Sequence, residues 1–190
     1  MTIQTAIERD CYWLTTRQDI PAEPLTGDHQ TDYAIVGAGL TGLWTALTIK
    51  RLEPGAGVTV VEQGVAAYGG SGRNAGMLSE TVDHGHGLAI QHFGLAEARR
   101  LARLGEDNIA AMYRDLAEWG VECDLERTGR LMIALTPAHL EECHRTIEVA
   151  RELGLDSFSF LDGEAIRSRL HSPLYLGGVK VSGGGILNPV

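Results

Sequence analysis

The sequence predicts an α/β fold built on a βαβ unit, and three observations predict it. A short β-type apolar run, Ala34 to Val36, leads into Gly37-Ala38-Gly39-Leu40-Thr41-Gly42. Leu43, Ala46, Leu47 and Ile49 then recur at helical spacing. A β-branched run, Val58-Thr59-Val60-Val61, follows and ends on Glu62. Strand, glycine turn, helix, strand and acid together make the layout of a Rossmann-like dinucleotide-binding unit.

Each part of the unit has a physical reason. Gly37 permits the tight turn out of the strand, Gly39 lets a backbone approach a pyrophosphate, and Gly42 lets helix and strand pack closely. The helix that starts there presents free N–H groups and a positive dipole end to phosphates. Glu62, about twenty residues beyond the last glycine, can accept hydrogen bonds from ribose hydroxyls. A carboxylate there favours a free 2′-hydroxyl and repels a 2′-phosphate, which points to FAD or NAD rather than NADP. No Arg closely follows Glu62.

The remaining elements follow in order. Residues 1–30 form an N-terminal arm with Tyr12 and Trp13 as expected anchors. Residues 31–93 hold the nucleotide-binding portion, and 94–190 a connecting helix and part of a second, α+β domain. Within the first portion, residues 64–78 are a glycine-rich loop carrying Ser71, Arg73 and Asn74. Small residues admit a ligand, and the rigid guanidinium fork of Arg73 suits phosphate. His84, His86 and His92 read as solvated loop histidines, because no carboxylate or cysteine stands at a metal-ligand spacing. No metal is assigned.

Leu101, Leu104, Ile109, Met112, Leu116 and Trp119 make residues 95–119 an amphipathic helix, interrupted near Gly105 and ended at Gly120. Cys123–Glu126 and Arg130–Leu135 read as an antiparallel hairpin turned by Arg127-Thr128-Gly129. Thr136 and Pro137 open a helix that runs to about Leu153 and stops at Gly154. A short strand is expected at Phe158–Leu161, then a short helix capped by Asp162, then a strand at 174–181. Gly183-Gly184-Gly185-Ile186-Leu187-Asn188-Pro189-Val190 reads as a loop leading into a further helix, so the chain is expected to be the N-terminal portion of a longer protein.

Composition narrows the function. The 190 residues suffice for one domain and part of another, and a net charge of −9 argues against nucleic acid or an anionic membrane as partner. Cys11, Cys123 and Cys143 are three separated thiols with no CxxC pair, which suits a reduced, cytoplasmic setting. The apolar run around residues 33–49 is broken by glycines and Lys50 and reads as a buried strand and helix, not a membrane span.

Together, Tyr12-Trp13, the Gly37/Gly39/Gly42 fingerprint, Glu62 and Gly70-Ser71-Gly72-Arg73-Asn74-Ala75-Gly76 resemble the D-amino-acid-oxidase-like FAD-dependent oxidoreductases. The likeness is greatest to their γ-glutamylputrescine oxidase branch. Thr128-Gly129-Arg130-Leu131 and the late Gly-Gly-Gly-Ile-Leu-Asn-Pro segment are similar too. The resemblance implies an incomplete two-domain fold: a Rossmann-like FAD-binding domain and the start of an α+β substrate domain with a hairpin and helices. It implies that Gly37, Ala38, Gly39, Leu40, Thr41 and Gly42 hold the FAD pyrophosphate, and that Glu62, with Gln63 beside it, meets the adenosine ribose. Ser71 and Arg73 would contact the ribose–pyrophosphate region, and Asn74, Ala75, Gly76 and Met77 would approach the flavin. Arg73-Asn74 stands where covalent relatives place a His or Cys, so non-covalent FAD is expected.

The implied reaction is hydride transfer from the nitrogen-bearing carbon of an amine or amino acid to flavin N5. An imine that hydrolyses is the product, and O₂ reoxidises the flavin. No catalytic side chain is singled out. An NAD-linked dehydrogenase and a non-catalytic nucleotide-binding remnant stay as alternatives; none of the five tyrosines has the Lys four residues on that a short-chain dehydrogenase needs.

Overall fold

A computed structural model describes residues 11–16, 22–82 and 85–190. The chain divides into two compact units, Met1–Gly76 with Asn188–Val190, and Met77–Leu187.

In the first unit, Tyr12–Thr16 forms a short helix, α1. Strand β1 (Tyr33–Val36) pairs in parallel with β2 (Val58–Val61), Tyr33 opposite Val58 and Val36 opposite Val61. Helix α2 (Leu40–Leu52) makes the crossover between them. Strand, glycine turn, helix and strand thus stand as the sequence predicts. Strand β2 is β-branched throughout and β1 ends on Ile35 and Val36, while the last turn of the helix carries Lys50 and Arg51, cations suited to its negative end. One turn of helix, α3 (Gly70–Arg73), lies inside the glycine-rich segment that reads as a loop.

The second unit begins with β3 (Met77–Leu78), which pairs antiparallel with β7 (Gly185–Ile186). This pairing moves residues 77–93 out of the first unit, so the contact boundary falls ahead of the expected 93/94 division. Helix α4 runs His86–Glu118 and is broken at Gly94 (φ 77°, ψ 164°) rather than near Gly105. Gly105 stays helical and serves close packing: a Cβ there would meet the Glu80 carbonyl oxygen at 1.7 Å. His86 and His92 therefore belong to a helix, not to a solvated loop; Gly85, Gly87 and Gly94 hide that helix from a periodicity reading. His84 lies outside the described residues.

The expected hairpin is corrected. β4 (Arg130–Ala134) pairs antiparallel with β6 (Gly177–Val181), whose other side takes β5 (Phe158–Asp162), in the order β4-β6-β5. Glu126 instead bridges Ile186, and the Gly129 N–H donates to Gly184 O (2.9 Å). Gly129 does turn the chain (φ 65°), but a Cβ on it would lie 2.2 Å from Val181 O, so this turn packs on β6.

Helix α5 (Pro137–Leu153) has the predicted caps. Thr136 Oγ1 accepts the His139 N–H, and Gly154 closes the helix in the left-handed region (φ 75°). The Asp162 side chain caps α6 (Gly163–Arg169). Ala134, Cys143, Ile147, Val179 and Val181 form one core between sheet and α5. Ala89, Ala98, Ala102, Ala150, Leu153 and Leu155 form another between α4 and α5. Among the described residues, no helix is long and apolar enough to cross a membrane.

Candidate cofactor site

The site is built on the turn from β1 into α2. Gly37 leaves the strand at φ 100°, which a side chain would strain. A Cβ on Gly42 would stand 2.0 Å from Gly37 O and 3.3 Å from Ile35 Cγ2, so the helix rests directly on the turn. Gly39 is the helix N-cap in extended conformation and has no capping side chain of its own. The cap comes instead from Ser71: the Leu40 N–H donates to Ser71 Oγ (2.9 Å). A Cβ on Gly39 would collide with that oxygen at 2.9 Å. The next amides, Thr41 and Gly42, belong to the first turn, where a helix has no internal acceptor for them.

Glu62 closes the other side of the turn. Its Oε2 accepts the Ala38 N–H (2.8 Å) and its Oε1 the Gly64 N–H (3.1 Å). These bonds, the Ala38 one foremost, hold the carboxyl below its ordinary pKa and keep it ionised. The side chain is exposed, and each oxygen keeps acceptor capacity for a hydroxyl. Gln63 follows it, also exposed. The Ala67 N–H donates to Ala38 O (3.0 Å), which ties the next loop to the same turn.

That loop carries the remaining residues. Arg73 donates from Nε to Tyr68 O (2.8 Å) and lies over the Tyr68 ring, 4.8 Å from its centroid. Its Nη2 is buried and has no hydrogen-bond partner. Asn74 spans the loop: Nδ2 donates to Ser71 O (2.6 Å) and Oδ1 accepts the Gly76 N–H (2.7 Å). Ala75 is exposed and Gly76 is buried with φ 72°. The first unit thus gathers Gly37–Gly42, Glu62, Ser71 and Arg73–Gly76 around one turn and one loop. Met77, next in the chain, belongs to the second unit, where it pairs with Ile186 and is 75% exposed.

Of the two expected anchors, Trp13 is held, its Nε1 donating to Asn74 O (2.9 Å), whereas Tyr12 is 68% exposed and anchors nothing by burial. Sequence reasoning missed that partner and the part played by Tyr68. Tyr68 orients Arg73 through carbonyl and ring together. An aromatic five residues before an Arg in a glycine-rich loop was the available signal.

Residues 32–190 match the family described as DAO, FAD dependent oxidoreductase. The chain belongs to that family. Among curated relatives, the probable oxidoreductase OrdL of Haemophilus influenzae is 27% identical over 186 residues, covering 96% of this chain and 42% of its own length. The gamma-glutamylputrescine oxidoreductase of Escherichia coli K12 is 27% identical over 179 residues, covering 94% and 41%. The glycine oxidase structure from Geobacillus kaustophilus superposes with a TM-score of 0.65 at 21% identity, covering 85% of this chain and 42% of that one. The chain thus spans about two-fifths of the length of these two curated relatives.

The residues present fit the family's cofactor. FAD needs donors for a pyrophosphate and an acceptor for ribose hydroxyls. The first-turn amides of α2 and the unpartnered Arg73 Nη2 are such donors, and ionised Glu62 is such an acceptor.

Proposed function

We propose that this chain supplies the FAD-holding part of an oxidoreductase that acts on an amine or amino acid. The observation that carries the reading is the pairing of two groups on one turn and loop: an ionised acceptor, Glu62, and a buried guanidinium nitrogen, Arg73 Nη2, with no protein partner. An unpaired charged donor in a buried position is costly, and an anionic ligand relieves the cost.

In this reading the amides of Leu40, Thr41 and Gly42, with Gly37, Ala38 and Gly39, face the pyrophosphate. Ser71 yields or shares its bond with the Leu40 amide. Glu62, flanked by Gln63, binds the adenosine ribose. Arg73 neutralises phosphate charge, and Asn74, Ala75 and Gly76 shape the approach to the ring system, with Met77 following them. No His or Cys stands among residues 70–77, which supports a non-covalent cofactor. When bound, FAD supplies the redox chemistry, taking a hydride from the substrate carbon that bears nitrogen. The substrate class rests on the Escherichia coli relative that acts on gamma-glutamylputrescine.

The test has two arms. FAD titration followed by flavin fluorescence should give saturable binding that Glu62→Ala weakens about tenfold, as expected for losing charge-assisted hydrogen bonds. FAD-dependent peroxide release should then be screened against γ-glutamylated amines, free polyamines and amino acids. An unchanged dissociation constant in Glu62→Ala would remove the ribose assignment, and turnover confined to substrates lacking nitrogen would remove the substrate class.

A further inference from the structure

We infer that residues 11–16 and 188–190 form a clasp that positions the Arg73–Asn74 loop, with Trp13 as its positioning residue. The inference rests on the FAD reading above for its functional meaning. Its geometry stands within the first unit alone.

The clasp is a line of hydrogen bonds. Asn188 Nδ2 donates to Thr16 Oγ1 (3.0 Å), and Thr16 Oγ1 donates to Trp13 O (2.8 Å). Trp13 Nε1 donates to Asn74 O (2.9 Å), and Asn74 Nδ2 donates to Ser71 O (2.6 Å). Ser71 Oγ then accepts the Leu40 N–H at the start of α2 (2.9 Å). Three segments far apart in sequence are so joined to the glycine turn. Gly72 is the tight point: a Cβ there would stand 2.2 Å from Ala67 O and 2.9 Å from Val190 Cγ2.

Chemistry gives the line its purpose. Both amide atoms of Asn74 are used in closing its own loop, which leaves its main-chain carbonyl to be held from outside. The indole N–H is the group that holds it. Arg73 precedes Asn74, its Nε is fixed to Tyr68 O, and its Nη2 is buried without a partner. A loop free to relax would turn that nitrogen into water, because burying an unpaired charged donor is unfavourable. The clasp opposes that relaxation and keeps the guanidinium poised before an anion arrives, the condition under which binding loses least to ordering.

The test compares the 190-residue chain with Trp13→Phe, which keeps an aromatic ring but removes the indole N–H, and with Thr16→Val, an exposed and nearly isosteric change. Amide exchange of residues 72–76 is measured without FAD, and FAD affinity by fluorescence titration. Trp13→Phe should speed exchange of these amides and weaken FAD about threefold to tenfold, the worth of one hydrogen bond. Amides of α5 should stay as in wild type. At saturating FAD its visible flavin band should be displaced, a change that loss of packing alone would not cause.

Thr16→Val should move the same readouts in the same direction by less. Wild-type loop exchange in Trp13→Phe overturns the clasp, and a wild-type flavin band at saturation overturns the positioning role. Should Trp13→Phe unfold, Thr16→Val decides: unchanged loop exchange there overturns the clasp. Should the wild-type chain take up no FAD, the functional reading fails by itself and the exchange arm still judges the clasp.

Discussion

The two units are held together in different ways. In the second, whole side chains disappear from solvent: Leu153, Ile166, Val179 and Val181 are all fully buried, and two cores lie beneath one sheet and two long helices. In the first, Ala38 is the only buried apolar side chain among the described residues, and Val36 on β1 is 87% exposed. What the first unit has instead is close backbone contact. Gly42 rests on Gly37, Gly72 on Ala67, and Glu62 and Ser71 accept main-chain amides. The second unit is a packed body, while the first is a set of polar groups held in register with little hydrophobic burial behind them. Apolar burial is the main favourable term in folding, so the first unit has less of that term behind it than the second.

The sharpest way to break this comparison is a cavity. Leu153→Ala should cost about 3 kcal/mol in denaturant unfolding of the second unit, the usual penalty for a buried leucine, and leave FAD affinity alone. A matching loss of FAD affinity would show that the two units do not divide the work. Gly42→Ala is the converse. Its Cβ would strike Gly37 O, and forcing such a contact costs about 1–3 kcal/mol. FAD binding should be abolished while protection of α5 amides persists. Retention of wild-type affinity would mean that the helix need not rest on the turn.

Acidity separates the units further. His86 is pushed below its ordinary pKa chiefly by burial; Glu80 and Glu106 oppose the shift, and Arg130 adds to it. A base with a depressed folded value stabilises the fold above its unfolded value, about 6.5, and loses that contribution as pH falls below it. The second unit should therefore weaken as pH drops below that unfolded value, and His86→Leu should flatten this limb; an unaltered limb would assign it to another group. Glu62 acts in the same direction but at lower pH. Its folded value is depressed, so its contribution is present above the unfolded carboxylate value, near 4, and lost as pH falls through the folded one. Glu62→Gln should remove a small acid limb from the first unit and none from the second. Because Glu62 is exposed, this is the smallest of the four effects.

The comparison also explains what could be read in the sequence. The β1–α2–β2 unit was legible because its glycines, β-branched runs and acid occur within about thirty residues. Helix α5 was legible because Thr136, Pro137 and Gly154 are local signals. The β4–β6 pairing was not, since the Arg127-Thr128-Gly129 turn favours a neighbouring partner, whereas the real one begins at Gly177. The clasp was illegible for the same reason. Nothing near Trp13 names Asn74, and nothing near Thr16 names Asn188. Residues that act alone on their own segment carry local signatures, and residues that act on distant carbonyls do not.

The decisive measurement is the absorbance spectrum of the purified 190-residue chain, reconstituted with FAD and desalted, before and after acid precipitation. A flavin band that stays with the chain and passes into the supernatant on precipitation is the predicted result: a folded, non-covalent FAD site on the first unit. A chain folded by circular dichroism that retains no flavin and shows no saturable FAD binding would contradict it.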